Sequence, residues 1–280
     1  MTSSRILVTG GNGLLGPYIR EAFEDCNVTV TSRTAPANRC DLTELGQVKE
    51  LIERSRPDTV LHLAALTNVD LCEAEPEKAD LQNRQAVAHI VNALPKRTFL
   101  AYISTDQVYS GTDAPFEEGQ IGPINVYGKS KLAGEVAALS HGRTICFRTN
   151  LFGPSRTEGR SSLSDFVVSN LSRGREITVF DDIFFSPLHM RTLSAYLRKA
   201  LDAGLTGVFN LGCREGASKA EFAFMIAKHL GLSTATAAVA GSDTMPGRAP
   251  RPADMRMDVA RLETALDEEM PTLGMEVRKL

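Results

Sequence analysis

The 280-residue chain has no tryptophan, and its five cysteines, Cys26, Cys40, Cys72, Cys146 and Cys213, include no CxxC pair. Thiols that are odd in number and scattered give neither a disulfide framework nor a zinc-ligand spacing, so reduced core thiols and no metal site are expected. A basic excess is missing too: 31 Lys+Arg against 34 Asp+Glu leave a formal net charge of -3. Nucleic acids and anionic membranes are bound through basic stripes, so neither is an expected partner. No apolar run approaches a membrane span, and MTSSR leads into the first strand pattern without a signal-like apolar region. These absences point to a cytoplasmic protein, in which the sequons at Asn27 and Asn170 are coincidental.

What is present is organised around residues 6–16, ILVTGGNGLLG, where a branched apolar run meets Gly10, Gly13 and Gly16 and PYIREAFED follows with helical character. The spacing suits a dinucleotide loop. One glycine turns the chain, a second lets backbone approach a diphosphate, and a third lets the helix pack close to the strand. Phosphate then sits on N–H groups of the helix N-terminus, with Leu14 and Leu15 in the loop and Pro17 tolerated in the first turn.

NVTVTSR alternates like a second strand and ends in Ser32 and Arg33 rather than an acid. An acid there would bind the ribose 2′-OH of NAD, whereas arginine accommodates a 2′-phosphate, so NADP(H) is favoured and NAD(H) is the alternative. A solvated Arg33 is the other reading. Asp41 and Leu42 precede a helical pattern that Thr43 is placed to cap and Pro57 ends; Asp41 either reaches the adenine or is a helix-start acid. DTVLHLAAL reads as a buried strand whose small Ala64 and Ala65 allow close cofactor approach, with His62 as a core histidine. A helical segment from about residue 78 to 94 carries Asn83, and another strand ends in the polar tip Ser104-Thr105-Asp106-Gln107. Strand and helix alternate throughout, as in a Rossmann-type doubly wound parallel sheet of the α/β class.

In PINVYGKSKLAGEVAAL, Asn125 is placed to cap a helix that carries Tyr127 and Lys131 on one face. TICFRTNLFGP makes a further strand, after which the pattern weakens until GVFNLG returns to the sheet. The expected domains are residues 1–152 plus 186–213 for the dinucleotide, and 153–185 plus 214–280 for a smaller substrate lobe. FFSPLHM reads as a loop, and MPGRAPRPADMRMD as a loop and tail.

A hydroxyl at a strand tip with Tyr and Lys at i and i+4 can move a proton while a nicotinamide moves a hydride. An adjacent ammonium is expected to lower the tyrosine pKa from its ordinary value of about 10.

On these residues the whole chain resembles the extended short-chain dehydrogenase/reductase family, TGGNGLLG matching its GxxGxxG loop and Tyr127-Gly-Lys-Ser-Lys131 its YxxxK motif. The resemblance implies a catalytic set of Thr105, Tyr127 and Lys131 and puts Asn150 near the nicotinamide; Phe152 stands where many members have tyrosine. Within the family the likeness is greatest to the dTDP-4-dehydrorhamnose reductase group, through HLAALTNVDLCEAEPEKA, STDQVYSG, FRTNLFG and APRPADMRMD. That implies an NADPH-dependent reductase of a 4-keto-6-deoxy nucleotide sugar. Arg251 and Arg256 of the tail would read the substrate, together with Thr105, Asp106, Gln107, Phe185 and His189; a solvated tail is the bland alternative for the two arginines.

Departures bear on the sugar: Asp254 and Met255 replace the group's Asn and Ser, and its tryptophans are missing. Gln107 stands where 4,6-dehydratases of the family carry a glutamate base, and an amide cannot serve as that base. An epimerase and a cofactor-binding, non-catalytic regulatory subunit stay open as alternatives, and the oligomeric state is open, a homodimer included.

Overall fold

The structure, a computed structural model, describes residues 4–34, 38–244 and 247–280. Residues 1–3 of the N-terminal stretch and Met245 and Pro246 of the proline-rich stretch lie outside the described residues.

The first half alternates as follows: β1 Arg5–Thr9, α1 Gly16–Ala22, β2 Asn27–Thr31, α2 Leu45–Ser55, β3 Thr59–His62, α3 Val69–Ala74, α4 Pro76–Asp80, α5 Ala86–Ala93, β4 Phe99–Ile103, α6 Val126–Leu139 and β5 Thr144–Thr149. The second half is made of shorter pieces: β6 Leu151–Phe152, α7 Leu163–Leu171, β7 Ile177–Phe180, β8 Phe184–Phe185, β9 Leu188–His189, α8 Met190–Asp202, β10 Gly207–Leu211, β11 Ala217–Ser218, α9 Lys219–Leu230, β12 Ala237–Ala240, β13 Asp254–Met255, α10 Ala260–Leu266 and α11 Leu273–Val277.

Six strands form one sheet in the order β10-β5-β4-β3-β1-β2, and every pairing in it is parallel. A parallel sheet must be covered on both faces, which is why Leu7, Val8, Val60, Leu61, Leu100 and Ala101 run as continuous apolar segments. One face packs against α2 and α5 through Val48, Leu51, Val87 and Ile90, and the other against α1 and α8 through Ile19, Leu193 and Leu197. The chain reverses direction across the sheet between β1 and β3, so the crevice at their carboxyl ends is the topological switch point, where ligands of such folds bind.

The core does not stop at the sheet. One apolar cluster runs from Ile6 and Val8 of β1 through α8 to Phe222 and Ile226 of α9 and Leu273 and Val277 of α11. The C-terminal elements therefore depend on the dinucleotide half for their burial. Capping boxes at Ser162 and Ser218 start α7 and α9.

Several expectations need correction. Thr43 does not cap α2, whose N-cap is Glu44 without a side-chain bond; the Thr43 N–H and hydroxyl both donate to Asp41 Oδ1, closing an Asx turn just before the helix. The segment expected as one helix from about 78 to 94 is α4 and α5 joined by a π-helical turn, Leu81–Gln85. FFSPLHM holds β8 and β9 rather than only a loop, and β13 pairs with β8 in parallel. The tail folds into α10 and α11, because Leu262, Met270, Leu273 and Val277 complete the core. All five cysteines are free. Among the described residues no helix is long and apolar enough to cross a membrane.

Candidate active site

β1 delivers the chain to the switch point, where Gly10 at φ +68° donates its N–H to Thr31 O at 3.0 Å. A Cβ on Gly10 would stand 2.7 Å from the Ala64 backbone, and one on Gly16 would stand 1.9 Å from Gly11 O. The first clash explains why a turn against β3 needs glycine. The second makes Gly16 the residue that lets α1 begin directly on the loop. Gly16 itself does not line the cleft, so its part in any cofactor site is indirect.

Beyond this cradle opens a cleft of about 630 Å³. Gly10, Gly13, Leu14 and Leu15 line its floor, Ala64 and Ala65 its wall at β3, and Ser32, Arg33, Asp41 and Leu42 the end beyond β2. Thr105, Asp106, Gln107, Tyr127, Lys131 and Asn150 line the other end. Two regions well separated in sequence thus meet in one cavity. Sequence reasoning missed Asn12, whose amide donates to Ser32 Oγ at 2.9 Å, and Arg160 and Ser161 from the polar loop. The Asn12 contact joins the glycine loop to the end of β2, and only the parallel pairing of β1 with β2 brings the two together.

Asn125 caps α6 by accepting the Gly128 N–H at 2.7 Å and donates its amide to Gln107 Oε1 and Pro250 O, both at 2.9 Å. The cap therefore ties the helix of Tyr127 to the strand tip and to the C-terminal tail. Thr105 Oγ donates to Asp106 Oδ1 and accepts from the Gln107 N–H, each at 3.2 Å, and Asn150 donates to Asp106 Oδ2 at 2.7 Å. Lys131 Nζ donates to Ile103 O at 2.6 Å and lies 4.1 Å from the centre of the Tyr102 ring.

Burial raises the Tyr127 phenol above its ordinary range, and a hydrogen bond with Thr105 pulls against it. Burial also brings Lys131 down to about 7, partly opposed by Glu135. The expected lowering of Tyr127 by the Lys131 ammonium does not appear here: burial sets the direction, and that ammonium is engaged with Ile103 O. A phenol raised in this way keeps its proton at neutral pH.

Behind the tip lies a buried network. Ser104 Oγ donates to Glu135 Oε1 at 2.5 Å, Arg148 grips the same carboxylate through Nε at 3.0 Å and Nη2 at 2.7 Å, and Arg148 Nη1 reaches Tyr109 Oη at 3.2 Å. His62 lies in the core as expected, with Nδ1 2.6 Å from Thr9 Oγ1, and burial lowers its pKa to about 3.

Other candidates do not reach the cleft. Phe185 is fully buried and packs edge-on against Phe222, with Lys219 Nζ 3.1 Å from its ring centre. His189 is the buried N-cap of α8, its ring edge-on to Tyr18 and Phe152. Both were expected to read substrate and instead fill the core, because β8 and β9 turn them inward. Asn83 is buried and holds the backbone of Leu66 and Ser130 Oγ, so it braces the cleft without lining it. Arg251 is bound to Asp70 at 2.8 Å and to Ala249 O. Arg256 is bound to Asp254 at 2.6 Å and lines a second cavity of about 350 Å³ instead. Each tail arginine is thus held by a carboxylate, and neither lines the cleft. Lys219, missed from sequence, is brought to about 7 by burial, with Asp106 opposing. Its only sequence signal was its place as the first residue after the Ser218 cap.

A close backbone cradle, a helix start and small residues at β3 fit a dinucleotide, and the fold with its Thr105, Tyr127 and Lys131 group defines the class: an oxidoreductase of the short-chain dehydrogenase/reductase type. Within it, the chain belongs to the RmlD substrate binding domain family, whose model matches residues 4–280. A dTDP-4-dehydrorhamnose reductase from Bacillus anthracis, crystallised in complex with NADP, superposes with a TM-score of 0.91 at 26% identity, covering 100% of this chain and 98% of that one. The dTDP-4-dehydrorhamnose reductase of Mycolicibacterium smegmatis is 30% identical over 89% of this chain and 76% of its own. Methionine adenosyltransferase 2 subunit beta from Xenopus laevis is 29% identical over 93% of this chain and 82% of its own.

Proposed function

We propose that the protein is an NADPH-dependent reductase of a 4-keto-6-deoxy nucleotide sugar, with Tyr127 as the proton donor. One observation carries the reading: a single cleft of about 630 Å³ is lined both by the glycine cradle and by Thr105, Tyr127 and Lys131. The similar reductase that binds NADP supports the cofactor, and Arg33 at the end of β2 suits a 2′-phosphate. When bound, the reduced nicotinamide supplies a hydride to the keto carbon. Thr105 orients the carbonyl oxygen by donating to it, turning its hydroxyl from Asp106. Tyr127 holds its proton until charge develops on that oxygen and then passes it across, giving the alcohol. Lys131 supplies the positive charge that steadies the resulting phenolate and holds the nicotinamide ribose. In this reading the substrate lobe is residues 153–185 plus 214–280, and the Asn125 bond to Pro250 O couples its tail to the catalytic helix.

Incubation with NADPH and a panel of dTDP- and UDP-linked 4-keto-6-deoxy sugars tests this. Cofactor oxidation is expected in the wild type, with most of the rate lost in Tyr127→Phe. A wild type that binds cofactor and sugar yet turns over no member of the panel sinks the reading. A second reading is favoured by the methionine adenosyltransferase relatives: a cofactor-binding regulatory subunit of a synthetase. Modulation of a methionine adenosyltransferase that is unaffected by Tyr127→Phe would support that role instead.

A further inference from the structure

Charge in the cleft is unevenly matched. Of the acids that line it, Asp41 is occupied by Thr43, and Asp106 is buried between Thr105 and Asn150. Of the cations, Lys131 is bound to Ile103 O. Arg33 and Arg160 also line the cleft from exposed positions, and among the described residues neither guanidinium makes a hydrogen bond or ion pair, although the Arg33 charge helps to hold the Asp41 carboxyl down. Arginines elsewhere in the chain are engaged: Arg148 grips Glu135, Arg156 pairs with Glu21, and Arg251 pairs with Asp70.

The loop that carries Arg160 is fastened at both ends. Tyr18 Oη donates to Pro154 O at 2.6 Å, the Arg156 guanidinium lies 4.2 Å from the Tyr18 ring centre, and Thr157 Oγ donates to Gly13 O at 3.2 Å. At the far end Ser162 starts α7 with a capping box, and Gly159 at φ +69° makes the intervening turn. The loop is thereby held against α1 and across the glycine loop itself. Arg33 stands beyond β2, while Arg160 comes from the loop above Gly13. An NADP molecule carries two anionic groups, a 2′-phosphate and a diphosphate, and the cleft offers, in two places, two guanidinium groups without a hydrogen bond or ion pair among the described residues.

We infer that Arg160 is a clasp for the cofactor diphosphate, closing on it opposite the N–H groups of the glycine loop. The inference rests on the dinucleotide reading above and adds a binding residue to it. A guanidinium donates in a fork that matches phosphate oxygens, and its charge complements the N-terminus of α1 on the other side. Arg33 serves the 2′-phosphate alone. The division of labour makes the two arginines separable by experiment, because NADH lacks the 2′-phosphate and keeps the diphosphate.

NADPH and NADH are titrated against wild type, Arg160→Gln and Arg33→Gln without sugar, following nicotinamide fluorescence, which no tryptophan emission overlaps in this chain. Loss of a charged hydrogen bond predicts that Arg160→Gln weakens both cofactors by a common factor of roughly tenfold or more, whereas Arg33→Gln weakens NADPH selectively. KM for the nucleotide sugar is then measured at saturating NADPH. Unchanged binding of both cofactors by a folded Arg160→Gln overturns the inference. So does a loss confined to the sugar KM, which would assign the guanidinium to the diphosphate of the substrate. A wild type that binds neither NADPH nor NADH overturns the dinucleotide reading itself, so the two failures are distinct.

Discussion

The buried pair Glu135 and Arg148 allows a prediction from geometry alone. Both side chains are almost wholly removed from water, at 2% and 3% exposure, and the carboxylate takes hydrogen bonds from Nε and Nη2 of the guanidinium and from the Ser104 hydroxyl. In Arg148→Met the carboxylate keeps only Ser104 as a hydrogen-bond donor. A buried charge left in this state costs about 3–5 kcal/mol. That is a large share of the roughly 5–15 kcal/mol that holds an ordinary domain folded. Glu135→Leu strands the guanidinium instead, although Tyr109 and the Glu118 carbonyl still bind it, so its cost falls at the lower end of the same range. With both replaced neither member of the pair is stranded, while Lys131 loses the carboxylate that supports its ammonium in the double variant and in Glu135→Leu alike, so the double variant should lose less than the sum of the singles by about 2–3 kcal/mol. Urea denaturation of the four proteins gives the coupling directly, provided the m-values agree. Additive losses, or an Arg148→Met penalty below about 1 kcal/mol, would refute the argument that this pair is desolvated and interdependent. The network reaches chemistry through Ser104, which precedes Thr105. The double variant should therefore recover stability better than it recovers kcat.

Three further outcomes follow from other residues. Lys131 stands at about 7, and Tyr127 is raised so that it stays protonated, so kcat/KM should fall on the alkaline side from about pH 7 as the ammonium is lost. Lys131→Arg should carry that limb to higher pH while Lys219→Met leaves it in place; a limb that ignores Lys131→Arg assigns it elsewhere. His62 has its folded pKa lowered to about 3 from 6.5, so the unfolded chain takes up the proton first as pH falls. The stability it contributes is fully present above about pH 6.5, is lost progressively down to about pH 3, and should shrink by roughly 2–3 kcal/mol between pH 6.5 and about 4.5. A His62→Asn variant should show a flatter urea midpoint over that range, and an unchanged slope would contradict the assignment. Gly16→Ala places a methyl 1.9 Å from Gly11 O, so cofactor affinity should drop at least tenfold or the protein should fail to fold. Normal NADPH binding by this variant would show that the loop can relax.

How much of this was legible in advance depended on whether a signal was local. The Rossmann alternation, the glycine spacing and the i, i+4 pair on α6 are written within short windows, where period and turn chemistry report directly on backbone. The tail was harder, because nothing near Leu262 or Val277 says that the sheet half provides the rest of their core; only the assembled cluster shows it. The substrate candidates Phe185 and His189 show the same limit. Each lies on a two-residue strand, too short for alternation to reveal which face turns inward. Arginines posed the opposite difficulty. Arg251 and Arg256 attracted attention through their proline-rich context, yet Asp70 lies 181 residues from Arg251, and no sequence rule joins them. Arg160 sat unnoticed in a polar loop because its meaning comes from Thr157 and Tyr18 holding that loop over Gly13. A charge becomes a binding group when nothing else in the fold satisfies it. That condition is a property of the whole set of partners, and it makes Arg160, whose side chain has no hydrogen bond or ion pair among the described residues, more informative about ligand than the paired arginines of the tail.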